Sequence, residues 1–212
     1  MVQRSPTMIV NLEPSAQLPY ALYQEGPSTD DCDLIAISSP LSVLKKTHQI
    51  LTKQSKKLDS KLLKKLEKIG FVLDYGEDNT GWQFKYLTRG GGYYFNVGAS
   101  NLVADQKVKL IQFSDIKDFL SDGIIHNSKK LKYDSFVFAT WYKGQEYMVK
   151  KFFGNEVANK VGKIWNFNTK KQELNNMFVK TNQQGLWFIA GSLAQCRIFS
   201  KYLSFQISKE LK

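Results

Sequence analysis

The sequence predicts an α/β fold, and three stretches of the chain carry that prediction. Residues 186–190 form a continuous apolar run of the kind found in a central strand that is covered on both faces. Beyond Gly191 the apolar residues recur at three- and four-residue steps, which places them on one face of a helix. Residues 134–140 predict a second buried strand, and residues 39–70 predict a helical segment between sheet elements.

Local signals predict the remaining elements. Ser39 followed by Pro40 is typical of a helix start, with serine as the N-cap and proline at the first helical position. Gly70 is the expected stop of a second helix in the same segment. Residues 145–161 predict a further helix. A small antiparallel sheet is predicted from residues 108–113, 116–120 and 124–126.

Composition is that of a globular protein with a full core. The chain has 212 residues, of which 42% are hydrophobic and 23% are charged. No apolar run approaches the ~20 residues of a membrane-spanning helix, and the N-terminus lacks the pattern of a signal peptide. We therefore expect a cytoplasmic location and no membrane partner.

The net charge of +11 raises the question of nucleic-acid binding. However, the lysines concentrate where a solvated helix face would place them, between leucines of the predicted helical segment. These are Lys45, Lys46, Lys53, Lys56, Lys57, Lys61, Lys64, Lys65 and Lys68. We expect no nucleic-acid partner.

Metal-ligating residues are few and widely spaced. The two cysteines, Cys32 and Cys196, have no second cysteine or histidine at ligand spacing. The histidines, His48 and His126, fall in no metal-binding motif. The sequence predicts no metal site, and neither histidine is a convincing general acid or base.

The turn at Gly191 is the candidate binding site. The N-terminus of a helix offers unpaired N–H groups and a partial positive charge, and a glycine lets a phosphate or a cofactor edge approach the backbone. The alternative is a plain turn, because many α/β domains contain a strand, a glycine and a helix that bind nothing. Arg89 and the three glycines after it could also cradle a phosphate, although no nucleotide motif surrounds them.

Five spaced segments point to one family. They are residues 2–7 (Val-Gln-Arg-Ser-Pro-Thr), 12–15 (Leu-Glu-Pro-Ser), 89–94 (Arg-Gly-Gly-Gly-Tyr-Tyr), 134–142 (ending Ala-Thr-Trp-Tyr) and 185–195. Together they resemble the C-terminal half of the flavin-containing monooxygenases, in the branch of bacterial and fungal relatives of the YUCCA-type enzymes. The resemblance covers nearly the whole chain.

The resemblance implies a remnant of two Rossmann-like dinucleotide-binding domains with a helical insertion. Residues 1–133 correspond to part of the NADPH-binding domain, with the insertion at about residues 39–70, and residues 134–212 to the C-terminal part of the FAD-binding domain. The residues implied to contact NADPH are Gln3, Arg4 and Ser5. Those implied to contact FAD are Thr140, Gly191, Ser192, Leu193 and Gln195. The implied reaction is hydride transfer from NADPH to FAD and oxygen transfer to a small organic substrate.

Two departures from the family pattern bear on that expectation. Trp141 stands where the family has a glycine, which puts flavin binding in doubt. No G-x-G-x-x-G fingerprint occurs in the sequence, and the chain opens on a predicted strand. We therefore expect this chain to be a truncated form of such an enzyme. The expected partner is then the N-terminal half of such an enzyme. The alternative is a non-catalytic remnant or interaction module that no longer binds a cofactor.

Overall fold

The computed structural model describes residues 1–140, 142–168 and 170–211. These residues form a mixed α/β structure of two compact units. The first unit comprises residues 1–32, 42–86 and 90–140. The second comprises residues 33–41 and 87–89 together with the described residues from 142 onward.

Two parallel strand pairs lie in the first unit. Strand β1 (Val2–Gln3) pairs with β4 (Ile111–Gln112), and β2 (Met8–Asn11) pairs with β3 (Tyr93–Asn96). A parallel pair cannot be closed by a tight hairpin, so the chain between the partners must cross over. In both pairs that crossover contains the helices of the segment that follows β2.

The third sheet is an antiparallel meander of β5 (Ile116–Leu120), β6 (Gly123–His126) and β7 (Lys129–Lys132). The prediction of an antiparallel set is correct for residues 116–120 and 124–126. It is wrong for residues 108–113, because their two-residue strand β4 pairs parallel with β1. A sequence pattern shows that a segment is extended but leaves the direction of its partner open.

Eight α-helices lie in the described part of the chain. In order, they are α1 (Ala21–Glu25), α2 (Thr29–Ser38), α3 (Leu41–Leu58), α4 (Ser60–Lys68), α5 (Gly81–Arg89), α6 (Ala99–Ala104), α7 (Gln145–Val161) and α8 (Leu193–Glu210). Helices α3 and α4 occupy the segment predicted to be helical, and α7 has the predicted bounds. Helix α7 has a kink at Gly154, whose φ is 82°.

Strand β2 forms the centre of the first unit because both of its faces are buried. Ile9 packs with Leu66 of α4 and Val103 of α6. Met8 and Val10 point to the opposite face, where they pack with Trp82. This arrangement is typical of a parallel strand covered on both sides.

The second unit has its own core between α7, α8 and the loop that joins them. Val149 and Val161 of α7 pack with Phe178, whose ring stacks on Phe199 of α8 at 5.0 Å between centroids. Arg197 of α8 donates to both carboxylate oxygens of Asp33, at 2.8 and 2.5 Å. That bidentate pair joins α2 to α8.

Two predicted strands are not formed. Residues 134–140 and 186–190 belong to no strand and no helix of the described chain. The prediction that they are buried is also wrong, since Val137 is 92% exposed and Ile189 is 52% exposed. A strand needs a neighbouring strand for its backbone hydrogen bonds, and none of the described residues supplies that neighbour.

Candidate functional site

The side chain of Gln3 forms four hydrogen bonds within the fold. Its Nε2 donates to the carbonyl oxygens of Val72 (2.8 Å) and Ser5 (3.2 Å). Its Oε1 accepts from the N–H of Val72 (3.0 Å) and from Nε2 of Gln112 (3.0 Å). The buried amide therefore joins β1 to β4 and to the chain after α4. These bonds fix the residue that immediately precedes Arg4.

Arg4 follows the last residue of β1 and is exposed. Because β1 and β4 are parallel, their carboxyl ends lie at the same edge, which is where open α/β sheets bind their ligands. Within the described part of the chain, no carboxylate forms an ion pair with Arg4. Ser5 beside it is also exposed, and its carbonyl accepts from Thr7 Oγ1 at 3.0 Å.

The turn into α8 has the geometry of a capped helix start. Ser192 Oγ accepts from the backbone N–H of Gln195 (3.2 Å), and Gln195 Oε1 accepts from the N–H of Ser192 (3.3 Å). This capping box leaves the amides of Leu193 and Ala194 as the unpaired donors of the first turn. Gly191 has a φ of 111°, which only glycine adopts at low cost.

These residues lie at the surface. Gly191 and Ser192 are exposed, and Leu193 is 90% exposed. The N-terminus of α8 is thus exposed to solvent. Thr140 is exposed at the end of the first unit, and Trp141 after it lies outside the described residues.

The glycines after Arg89 have conformational and packing roles. Gly90 ends α5 in the left-handed conformation, with a φ of 68°. Gly92 has a φ of 86°, and a Cβ added to it would lie 3.1 Å from Cε of Lys85. The Lys85 side chain is 1% exposed and forms an ion pair with Asp74. The space beside Gly92 therefore holds a lysine of the protein itself.

A buried polar network that the sequence did not predict lies at the carboxyl ends of β2 and β3. Asp59 Oδ1 accepts from Asn11 Nδ2 and from Ser15 Oγ, both at 2.7 Å. Asp59 Oδ2 accepts from the backbone N–H of Asn11 at 2.9 Å. Asn11 in turn accepts from Asn96 Nδ2 at 2.7 Å. The available signal was an asparagine at the end of each apolar strand, but the carboxylate that binds Asn11 lies 48 residues away in the sequence.

His48 of α3 lines a small cavity together with Thr52 and Trp82. It is 6% exposed, and its ring meets that of Phe84 edge-on at 5.5 Å between centroids. Burial lowers the pKa of His48 from 6.5 to about 4, because desolvation disfavours the charged imidazolium. His48 is therefore neutral in the folded protein near pH 6.

The folded state is expected to lose stability as the pH falls from about 6.5 to about 4. In that window the unfolded chain binds a proton at His48 and the folded chain does not, so protonation favours unfolding. The difference in the pKa of His48 between the two states corresponds to about 3 kcal/mol of unfolding free energy. Urea unfolding of the wild type and His48→Gln across this window measures the effect, because glutamine cannot titrate. The variant is expected to lose that part of the pH dependence.

His126, the other histidine, provides the matched control. It lies in the meander and is not part of the α3 cavity. His126→Gln is expected to keep the wild-type change in unfolding free energy between pH 6.5 and 4. If His48→Gln and the wild type have the same pH slope, then burial of His48 does not destabilise the folded protein at low pH.

No cluster of three or more histidine, cysteine, aspartate or glutamate side chains is placed to hold a metal ion within the described ranges. The described helices include none with both the length and the apolar character needed to cross a membrane.

The candidate residues thus form two separate groups, Gln3 to Ser5 in the first unit and Gly191 to Gln195 in the second. The first group presents an exposed guanidinium, and the second presents unpaired backbone amides; both suit anionic groups of a dinucleotide. In comparisons with protein-family models and with curated proteins, no match was found.

Proposed function

We propose that this chain is the portion of an FAD- and NADPH-dependent flavoprotein monooxygenase in which Arg4 binds NADPH and the start of α8 faces FAD. The observation that carries the proposal is the position of Arg4, exposed at the carboxyl end of a strand in a parallel pair. When bound, the two cofactors supply the hydride transfer and the oxygen chemistry. The substrate class is a small organic molecule with a nucleophilic heteroatom or a carbonyl.

Arg4 suits the 2′-phosphate that distinguishes NADPH from NADH. In dinucleotide-binding sheets the residue after the second strand meets the adenosine ribose, and an arginine there accommodates the phosphate. A guanidinium donates two parallel hydrogen bonds to phosphate oxygens, which a single amine cannot do. The four hydrogen bonds of the Gln3 side chain hold the preceding residue in place, so the guanidinium extends from a fixed backbone.

The start of α8 suits an anionic or carbonyl edge of FAD. The capping box does not use the backbone N–H groups of Leu193 and Ala194. The positive end of the helix dipole adds to the positive potential at these two groups. Gly191 has no Cβ, so a planar ring can approach the backbone closely. The role of these residues is to bind and orient the cofactor.

The test of the proposal compares NADP⁺ with NAD⁺. We expect the purified chain to bind NADP⁺ more tightly by about 10- to 100-fold, because charge-assisted hydrogen bonds to the phosphate contribute about 1.5–3 kcal/mol. The Arg4→Ala variant is expected to bind the two nucleotides equally. Isothermal titration calorimetry at low salt measures both affinities.

Two variants control that experiment. Lys129→Ala removes an exposed cation on β7 and is expected to leave the NADP⁺ preference unchanged. Arg4→Lys keeps the charge but loses the bidentate geometry, so it is expected to retain only part of the preference. Equal affinity of the wild-type chain for NADP⁺ and NAD⁺ contradicts the proposal.

A second candidate is an interaction module without a cofactor. It is favoured by the exposed apolar residues of the two segments that form no strand, among them Val137 and Ile189. Such surfaces mark contacts with other molecules. This candidate predicts no discrimination between NADP⁺ and NAD⁺, so the same titration separates it from the first.

A further inference from the structure

We propose that the exposed face of α3 and α4 binds the surface of a membrane that contains anionic lipids. Six lysines share this face, two aliphatic side chains are exposed among them, and few acidic groups lie beside them. The six form the lysine stripe, which consists of Lys46, Lys53, Lys57, Lys61, Lys64 and Lys68. The expectation of no membrane partner follows from the lack of a spanning segment in the sequence. This inference concerns contact with one surface of a bilayer, and it does not depend on nucleotide binding.

The part of the lysine stripe in α3 follows the period of a helix. His48, Thr52 and Ser55 mark the buried side of α3. Residues at steps of three and four are neighbours on one helix face. The exposed residues at these steps on the other side of α3 are Val43, Lys46, Ile50, Lys53 and Lys57. Three lysines and two aliphatic residues therefore form a single exposed surface.

The lysine stripe continues into α4, because helical hydrogen bonds pass through the junction of the two helices. The N–H of Asp59 donates to the carbonyl oxygen of Ser55 (2.9 Å), and the carbonyl oxygen of Asp59 accepts from the N–H of Leu63 (3.0 Å). The exposed residues that follow Lys57 at steps of four and three are Lys61, Lys64 and Lys68, whereas the leucines of α4 are buried. At 1.5 Å per residue the stripe is about 30 Å long. It belongs to the first unit.

Few acidic side chains of the two helices offset this charge. Residues 41–69 contain nine lysines and two acidic residues, Asp59 and Glu67. Asp59 is 4% exposed, and its carboxylate accepts from Asn11 and Ser15. Glu67 is exposed but lies outside the steps of the lysine stripe. On α3 and α4, the six lysines therefore share one exposed carboxylate.

The acidic groups of neighbouring segments pair with other lysines. Asp78 pairs with Lys45 at 3.6 Å, and Asp105 pairs with Lys65 at 2.9 Å. Neither of these two lysines belongs to the lysine stripe. Among the described residues, no carboxylate lies within ion-pair distance of a stripe lysine. The positive charge of the stripe is thus available to an external anion.

The aliphatic side chains within the surface distinguish a membrane from a nucleic acid. Val43 is 49% exposed and Ile50 is 67% exposed. Nucleic-acid sites use arginine to read base edges and aromatic rings to stack on bases, and this surface has neither. Lysines combined with aliphatic residues suit a bilayer, where the apolar groups enter the boundary between headgroups and acyl chains. Clusters of about four to eight basic residues on one helix are typical of binding to anionic lipids.

Sedimentation with lipid vesicles tests the proposal on the full chain. We expect vesicles of phosphatidylcholine with about 30% phosphatidylserine to bind at least about 100-fold more tightly than vesicles of phosphatidylcholine alone. Raising the salt from about 0.05 M to about 0.5 M is expected to remove most of that difference, because the Debye length falls below the distance between the charges. Equal binding of the two kinds of vesicle overturns the proposal.

Two triple variants with the same loss of charge test the position. Replacing Lys53, Lys57 and Lys61 by glutamine is expected to weaken binding to the phosphatidylserine vesicles by about 100-fold, at about five-fold per lysine. The matched control replaces the exposed Lys117, Lys129 and Lys132 of the meander by glutamine, and it is expected to bind as the wild type does. All six side chains are exposed, so both variants are expected to fold. Equal weakening by the two variants would show that net charge alone attracts the vesicles, which contradicts a specific surface.

Ile50→Gln separates a membrane from a nucleic acid as the partner. The variant keeps every charge, so it is expected to weaken vesicle binding by about 10-fold with an unchanged salt dependence. A single-stranded oligonucleotide is expected to bind more weakly than the phosphatidylserine vesicles. If the oligonucleotide binds more tightly and Ile50→Gln has no effect on either ligand, the partner is a nucleic acid and the proposal fails. The NADP⁺ titration contains no vesicles, so failure of either experiment leaves the other interpretable.

Discussion

The Lys85→Ala variant is expected to lose about 3–5 kcal/mol of unfolding free energy. Lys85 is 1% exposed and pairs with the carboxylate of Asp74, whose other oxygen accepts from the N–H of Gly76 at 2.9 Å. The substitution removes the cation and leaves a space beside Gly76 and Gly92, both of which contact the lysine stem. Loss of the charge and loss of packing therefore act in the same direction.

Urea unfolding followed by circular dichroism measures this loss. Lys65→Ala is the matched control, because Lys65 also pairs with an aspartate, Asp105, at 2.9 Å but lies at the surface. The control is expected to keep nearly the wild-type midpoint, since water screens an exposed ion pair. A Lys85→Ala midpoint close to that of the control would show that the buried ion pair contributes little to stability.

Helices α3, α4, α7 and α8 could be predicted from the sequence because their signals are local, whereas α1, α2, α5 and α6 were not predicted. The bounds of α7 and the start of α8 follow from residues within one or two turns, including the Ser192 cap. Strand pairing could not be predicted in the same way. Residues 134–140 have the composition of a buried strand, yet they form none, because pairing depends on a partner elsewhere.

The candidate site shows the same difference between local signals and contacts with distant residues. Gly191 is identified from a short local pattern and Arg4 from the family resemblance, and the structure places both at the surface. Lys85 and Asp59 were not identified as buried polar residues. A lysine within a helix pattern predicts a solvated side chain, and its buried state depends on Asp74, which lies 11 residues earlier. The periodicity of apolar residues gives no information on contacts of this kind.

The parallel pair β1 and β4 consists of two short strands. Parallel sheets of this size are unusual, because parallel sheets are normally larger and covered on both faces. Arg4 follows the last residue of β1, so the proposal of nucleotide binding depends on this pair.

The Asp59→Ala variant is expected to destabilise the first unit by about 4 kcal/mol, through three lost hydrogen bonds to a buried carboxylate. Asp59 is 4% exposed and accepts from the backbone and side chain of Asn11 and from Ser15. Without it, the side chain of Ser15, which is 1% exposed, loses its acceptor, and so do both donors of the partly buried Asn11.

Two further variants separate the hydrogen bonds from the volume of the side chain. Asp59→Asn keeps the shape but turns one acceptor into a donor, so it is expected to lose a smaller part of the stability. Asp134→Ala, at an exposed aspartate, is expected to keep the wild-type unfolding midpoint in urea. If Asp59→Ala unfolds at that same midpoint, the network does not hold the carboxyl ends of β2 and β3 together. A large loss confined to Asp59 would establish that these strand ends, although polar, are part of the structural core.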